Sequence, residues 1–144
     1  MSTDRSDLST ELPRTDEEWR QRLTPAQYEV LRRKGTERPG TGEYLHAKQQ
    51  GTYRCAGCGT ELFLSDSKYD SGCGWPAFTE PANEANVDLT TDYSHGMIRT
   101  EVTCHRCGGH LGHVFDDGPA PTGQRYCINS LSLTLDPTGN EAQS

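Results

Sequence analysis

Two Cys-x-x-Cys turns constrain this chain more than any other feature: Cys55-Ala56-Gly57-Cys58 and Cys104-His105-Arg106-Cys107. Each puts two thiolates on one tight turn, and Gly59 and Gly108 stand where the backbone must bend just after the second sulfur. Four thiolates fill a tetrahedral shell around Zn²⁺ at about 2.3 Å, and soft sulfur suits that ion better than harder cations. The expected cofactor is one structural Zn²⁺ held by Cys55, Cys58, Cys104 and Cys107, with no open position for catalysis. Between the turns lie 45 residues, so the ion would close a long excursion of chain, where a cross-link helps most. The competing readings are two disulfides, a redox-active Cys-x-x-Cys, or His105 replacing one sulfur.

Such a clip matters because the chain is short of apolar residues. It has 144 residues, of which 31% are hydrophobic, with 15 Gly and 6 Cys, and its mean hydropathy is -0.84. That is room for one domain, and a chain this poor in apolar residues needs staples, for which the cysteines are the candidates. The formal charge of -7 would be repelled by a phosphate backbone, which argues against general nucleic-acid binding. No apolar run approaches the ~20 residues that a bilayer crossing requires, and no membrane association is expected. Met1 to Asp7 lack the basic-then-apolar layout of a secretory signal, so a cytoplasmic location is expected. There cysteines serve as metal ligands or catalysts more often than as structural disulfides.

Along the chain, residues 1–13 read as a flexible lead-in, 14–136 as a single domain and 137–144 as a flexible tail. Thr15-Asp16-Glu17-Glu18 and Thr24-Pro25-Ala26-Gln27 are N-terminal helix signals, with Trp19/Leu23 and Tyr28/Leu31 as apolar edges and Gly35 as a stop. Short strand-like runs follow: Thr52–Cys55, Glu61–Leu64, Met97–Thr103, Gly112–Phe115, Arg125–Asn129 and Leu131–Leu135. The expected fold is mainly β, with antiparallel sheets preceded by two short helices.

Cys73 and Cys127 remain outside the knuckles. On a strand, Arg125, Cys127 and Asn129 share one face, and a guanidinium beside a thiol favours the nucleophilic thiolate. Cys73 lies between Gly72 and Gly74 on an uncrowded loop, with Trp75 and Phe78 available as an apolar wall. His110 and His113 follow the second knuckle and supply groups that move protons near neutral pH. Three other readings fit these residues: a zinc-ribbon binding module without catalysis, a thiol hydrolase using a Cys-His-Asn set, and a permanent disulfide.

The order Cys-x-x-Cys, Ser71-Gly72-Cys73-Gly74-Trp75-Pro76, Cys-x-x-Cys-x-x-His-Leu-Gly-His-Val-Phe, Arg125-Tyr126-Cys127-Ile128-Asn129-Ser130 resembles the type B methionine sulfoxide reductases. The likeness runs from about Leu12 to Leu135; Ala77 stands where the family usually has Ser. It implies a barrel-like or tent-like β fold with a zinc clip opposite the active site. It also implies reduction of the R epimer of methionine sulfoxide, free or in oxidised proteins. By the same resemblance Cys127 is the nucleophile and passes through a sulfenic acid. Cys73 resolves it as a Cys73–Cys127 disulfide, and a thioredoxin-like dithiol reduces that bridge. His113 and His110 are the family's candidate proton donors, Asn129 helps hold substrate or water, and Trp75, Phe78 and Arg125 shape the substrate site. A monomer is the expected state.

Overall fold

The structure, a computed structural model, describes Pro13 and residues 15–137. The expected flexible ends lie almost wholly outside the described residues. Helix α1, Asp16–Arg22, starts where Thr15 Oγ1 accepts the Glu18 N–H at 3.2 Å. Helix α2, Pro25–Leu31, has a complete capping box: Thr24 Oγ1 accepts the Gln27 N–H, and Gln27 Oε1 accepts the Thr24 N–H. Its exit differs from expectation. Lys34, not Gly35, takes the left-handed conformation (φ 60°), while the Gly35 N–H reaches back to the Glu29 carbonyl. Among the described residues no helix is long and apolar enough to cross a membrane.

The rest is antiparallel β structure in two sheets. The smaller joins β1 (Gly51–Cys55) to β2 (Glu61–Leu64) on one side and β9 (Leu133–Pro137) on the other. The larger has the order β3-β4-β8-β7-β6-β5. Its strands are β3 (Lys68–Tyr69), β4 (Ala77–Phe78), β5 (Val87–Asp92), β6 (Arg99–Cys104), β7 (His110–Phe115) and β8 (Arg125–Ile128). Three of these were invisible to alternation. Strands β3 and β4 have two residues each, too few for any period, and β5 keeps Leu89 and two threonines exposed at its centre. The expected strand at Leu131–Leu135 is shifted: residues Ser130–Ser132 form a 3₁₀ turn, and β9 runs on to Pro137. Ser132 Oγ donates to the His110 carbonyl at 2.9 Å, which holds that turn against β7.

Aromatic rings bind the two sheets face to face. Phe63 of the smaller sheet stacks on Phe78 of the larger (4.4 Å between centroids, 18°), and Tyr53 meets the same ring edge-on at 5.2 Å. Phe78 is therefore fully buried, which corrects the expectation that it cups a substrate. The helices cover the knuckles: Trp19 lies over Gly57 and Leu31 over Gly109. Arg32 stacks on the Trp19 ring at 4.3 Å and donates to the Cys107 carbonyl at 2.9 Å.

Because Phe78 fills the space between the sheets, Phe78→Ala is expected to cost about 3–5 kcal/mol of unfolding free energy. Urea denaturation followed by circular dichroism measures this, and a loss below about 1 kcal/mol would remove Phe78 from the core.

Candidate functional site

The four knuckle sulfurs converge. Cys55 ends β1 and Cys104 ends β6, and the two turns have the same build. Gly59 donates to the Cys55 carbonyl and Gly108 to the Cys104 carbonyl, both at 2.8 Å, and both glycines have positive φ (84° and 76°). Cys55 Sγ lies 3.7 Å from Cys107 Sγ, Cys58 Sγ 3.5 Å from Cys104 Sγ, and all four sulfurs fall within 4.8 Å of one another. This set could hold a metal ion. The donors fit one: they are four soft, largely buried sulfurs close enough together to share a single ion. His105 is turned away, with Nδ1 3.0 Å from the Asp88 carboxylate.

A second convergence lies on the larger sheet. Cys127 of β8 pairs directly with His113 of β7 and with Ala77 of β4, so its side chain shares a face with both. Phe115 pairs with Arg125 in the same ladder. The β7–β8 approach is too close for any side chain at position 112, because a Cβ on Gly112 would collide with the Cys127 carbonyl. Strict alternation would send His110 and His113 to opposite faces, since they are three apart. A β-bulge corrects this: Val102 pairs with Gly112 and Thr103 with His110, leaving Leu111 as the extra residue. The imidazoles consequently meet edge to face at 5.5 Å.

Cys73 and Cys127 are brought together, with their free thiols 2.8 Å apart. Arg125 Nη1 donates to Cys127 Sγ at 2.9 Å. The guanidinium is held by two hydrogen bonds to Asp117 (2.8 and 2.9 Å) and by the Phe115 ring at 4.5 Å. The two thiols titrate as a pair. The hydrogen bond donated by Cys127 pulls Cys73 down to about 5, whereas the contact with Cys73 and then burial hold the Cys127 proton. Arg125 acts in the opposite sense on Cys127 and favours its thiolate.

Around the pair opens a cleft of about 200 Å³, bordered by Trp75, Arg99, His113, Phe115, Asn129 and both cysteines among others. His113 Nε2 is 2.8 Å from Asp92, and this bond keeps the Asp92 carboxyl well below the usual carboxylate range. His110 is buried away from the cleft with Nδ1 2.8 Å from Glu101; burial lowers its pKa, and the Glu101 contact partly offsets this. Asn129 borders the cleft, but its amide is engaged by main chain: Oδ1 accepts the Glu37 N–H and Nδ2 donates to the Leu111 carbonyl, each at 3.0 Å. Trp75 Nε1 donates to the Glu37 carbonyl at 3.0 Å, which fixes the indole over the opening.

Several residues here carried no sequence signal. Asp92 and Glu101 are two of 21 acidic residues, and only the β5–β6–β7 register shows that they face the histidines. Glu37 sits in a loop that no periodicity reaches. Asp117 was the more findable of these, since it follows the histidine motif closely.

A strand thiol under an arginine, beside a second free thiol on a loop and apart from a tetrad of cysteines that could hold a metal ion, defines a thiol-dependent oxidoreductase. The comparisons narrow this. Residues 23–137 match the SelR domain. The chain is 64% identical over 124 residues to the peptide methionine sulfoxide reductase MsrB of Bradyrhizobium diazoefficiens, covering 86% of this chain and 89% of the relative. It is 58% identical to the protein of the same description in Acinetobacter baylyi, with the same coverage. The chain belongs to the SelR-domain family of methionine sulfoxide reductases.

The lowered Cys73 pKa means that one thiolate is present above about pH 5 and is lost as the pH falls through that value. Iodoacetamide alkylation, read by mass spectrometry, should show its first midpoint there. A single midpoint near 9, that of an ordinary thiol, would show that the pair is not coupled.

Proposed function

We propose that this protein reduces the R epimer of methionine sulfoxide to methionine, in proteins and as the free amino acid, and so repairs oxidative damage. The observation that carries this reading is the thiol pair: Cys127 in an arginine-supported position, 2.8 Å from a second free thiol on a loop. Family membership supplies the reaction class, the resemblance implies the residue roles, and the geometry of the site supports them.

Cys127 is the nucleophile. In the resting pair it keeps its proton through contact with Cys73 and burial; once Cys73 withdraws, Arg125 favours the thiolate and only burial opposes it. The thiolate attacks the sulfoxide sulfur while a proton is delivered to the oxygen. Oxygen passes to Cys127 as a sulfenic acid, and methionine leaves with the sulfur reduced by two electrons. His113 is the better proton donor of the two histidines because it borders the cleft. His110, buried on Glu101, packs against it and sets its position. Trp75 forms the apolar wall, and Asn129 holds the wall's support in place through Glu37. Cys73 then attacks the sulfenic sulfur, the S–O bond breaks, water departs and the Cys73–Cys127 disulfide forms. A thioredoxin-like dithiol supplies the two electrons that reopen it by exchange.

Zn²⁺ is the ion we assign to the four-cysteine cluster. A tetrahedron with Zn–S bonds of about 2.3 Å has sulfurs about 3.8 Å apart, close to the separations of 3.5 and 3.7 Å seen here. Its role is to join β1 to β6. We place the protein in the cytoplasm, where cysteines serve as metal ligands or catalysts more often than as disulfides, and take it to act as a monomer.

Cys127→Ser is expected to abolish reduction of the R epimer with any reductant. Cys73→Ser should keep one stoichiometric turnover and lose thioredoxin-driven cycling. Turnover by the first variant, or undiminished cycling by the second, would reject the assignment. Zn²⁺ should be found at one ion per chain by elemental analysis, and chelation at mildly acidic pH should lower Tm sharply. An apoprotein with an unchanged melting curve would refute the structural role.

A further inference from the structure

Among the described residues five large apolar side chains are exposed, and four of them crowd into one stretch: Leu89 (48%), Tyr93 (71%), Met97 (46%) and Ile98 (77%). In a chain with so few hydrophobic residues, such a cluster on the surface is unusual and marks a contact site. It lies at the end of the β5–β6 hairpin, where Asp92 pairs with Arg99. A groove of about 340 Å³ opens there, lined by Leu89, Ile98, Thr100 and Val114. Arg99 and Phe115 border this groove and also the thiol cleft. The two depressions are therefore neighbours across one wall, and an extended segment whose oxidised side chain entered the cleft would carry its flanking residue over that wall.

We propose that this groove is a subsite for an apolar side chain flanking the oxidised methionine in an unfolded polypeptide. The inference rests on the reading of the cleft as the sulfoxide site and extends it to the class of substrate. Its occupant follows from the chemistry of the lesion. Methionines in folded proteins lie among apolar neighbours, and oxidation puts a polar group in that setting and disrupts it. Segments displaced in this way present a sulfoxide beside aliphatic or aromatic residues. Free methionine sulfoxide has nothing to offer the groove, so it gains only the cleft's contacts. Leu89, Ile98 and Val114 present apolar surface to such a residue, while Arg99, tied to Asp92 at 3.7 Å, keeps the wall in place.

The test compares three R-sulfoxide substrates: an N-acetylated, C-amidated methionine sulfoxide, a pentapeptide with Leu on both sides of the sulfoxide, and the same peptide with Gly on both sides. Burial of one aliphatic side chain predicts that the wild-type protein favours the Leu peptide over the Gly peptide by about tenfold in kcat/KM. Ile98→Ser should remove most of that preference while leaving kcat/KM for the blocked amino acid unchanged. Leu89→Ser should act in the same direction. Both positions are exposed, and a melting curve checks that each variant is folded. Equal rates on the two peptides with the wild-type protein, or an equal loss on all three substrates with the variants, would overturn the proposal. So would sedimentation showing a dimer that Ile98→Ser dissociates, since a second copy would then cover the patch. Failure of the wild-type protein to reduce any of the three would instead reject the sulfoxide reading of the cleft itself.

Discussion

The two sheets of this protein meet at one junction, where four sulfurs converge within 4.8 Å of one another. Cys55 closes β1 in the smaller sheet and Cys104 closes β6 in the larger, so the cluster ties together elements that no strand ladder connects. The aromatic stack of Phe63 on Phe78 binds the same two sheets from inside. A chain with 31% hydrophobic residues has little apolar area to commit to the task, and an ion in the proposed four-cysteine site would supply the remaining constraint. The helices pack over the same corner: Trp19 lies over Gly57, Leu31 over Gly109, and Arg32 donates to the Cys107 carbonyl.

From this anchor the reactive side of the molecule follows by short steps. The second knuckle leads through Gly108 and Gly109 directly into β7, which carries both histidines. Strand β8 then pairs with β7 in a register that sets Cys127 against His113. The loop bearing Cys73 is held by the segment before β1: Gly40 donates to the Gly74 carbonyl, and Glu37 binds both Trp75 and Asn129. Strand register and bonds to main chain thus set the backbone frame of the site, and side-chain contacts such as Cys127–Cys73 and Arg125–Cys127 complete it.

Much of this was legible in the residues. The knuckle spacing announced the cluster, and the alternation around Cys127 placed Arg125 beside its sulfur. The capping signals gave both helices, because Thr15 and Thr24 act within four residues of themselves. What stayed hidden was non-local. Phe78 looked like a cleft wall because it stands three residues from Trp75, yet its two-residue strand turns it into the inter-sheet core. Asn129 looked free to bind a ligand, yet both ends of its amide are taken by backbone groups from distant segments. Asp92 and Glu101 acquire meaning only from strand register, which no local pattern encodes.

The single extra residue in β7 carries a wider lesson about parity. In an unbroken ladder, positions an even number apart look the same way, and a spacing of three separates them. Leu111 absorbs the odd count: it sinks its own side chain among the core residues and offers its carbonyl twice to Asn129, and the imidazoles on either side of it end up as neighbours. Excising Leu111 would leave those two rings two apart and still co-facing, whereas removing Gly112, the regular residue between them, would turn one of them inward. An odd interval between two side chains that must cooperate on one strand is therefore itself a mark, readable in advance, of where the ladder has to slip.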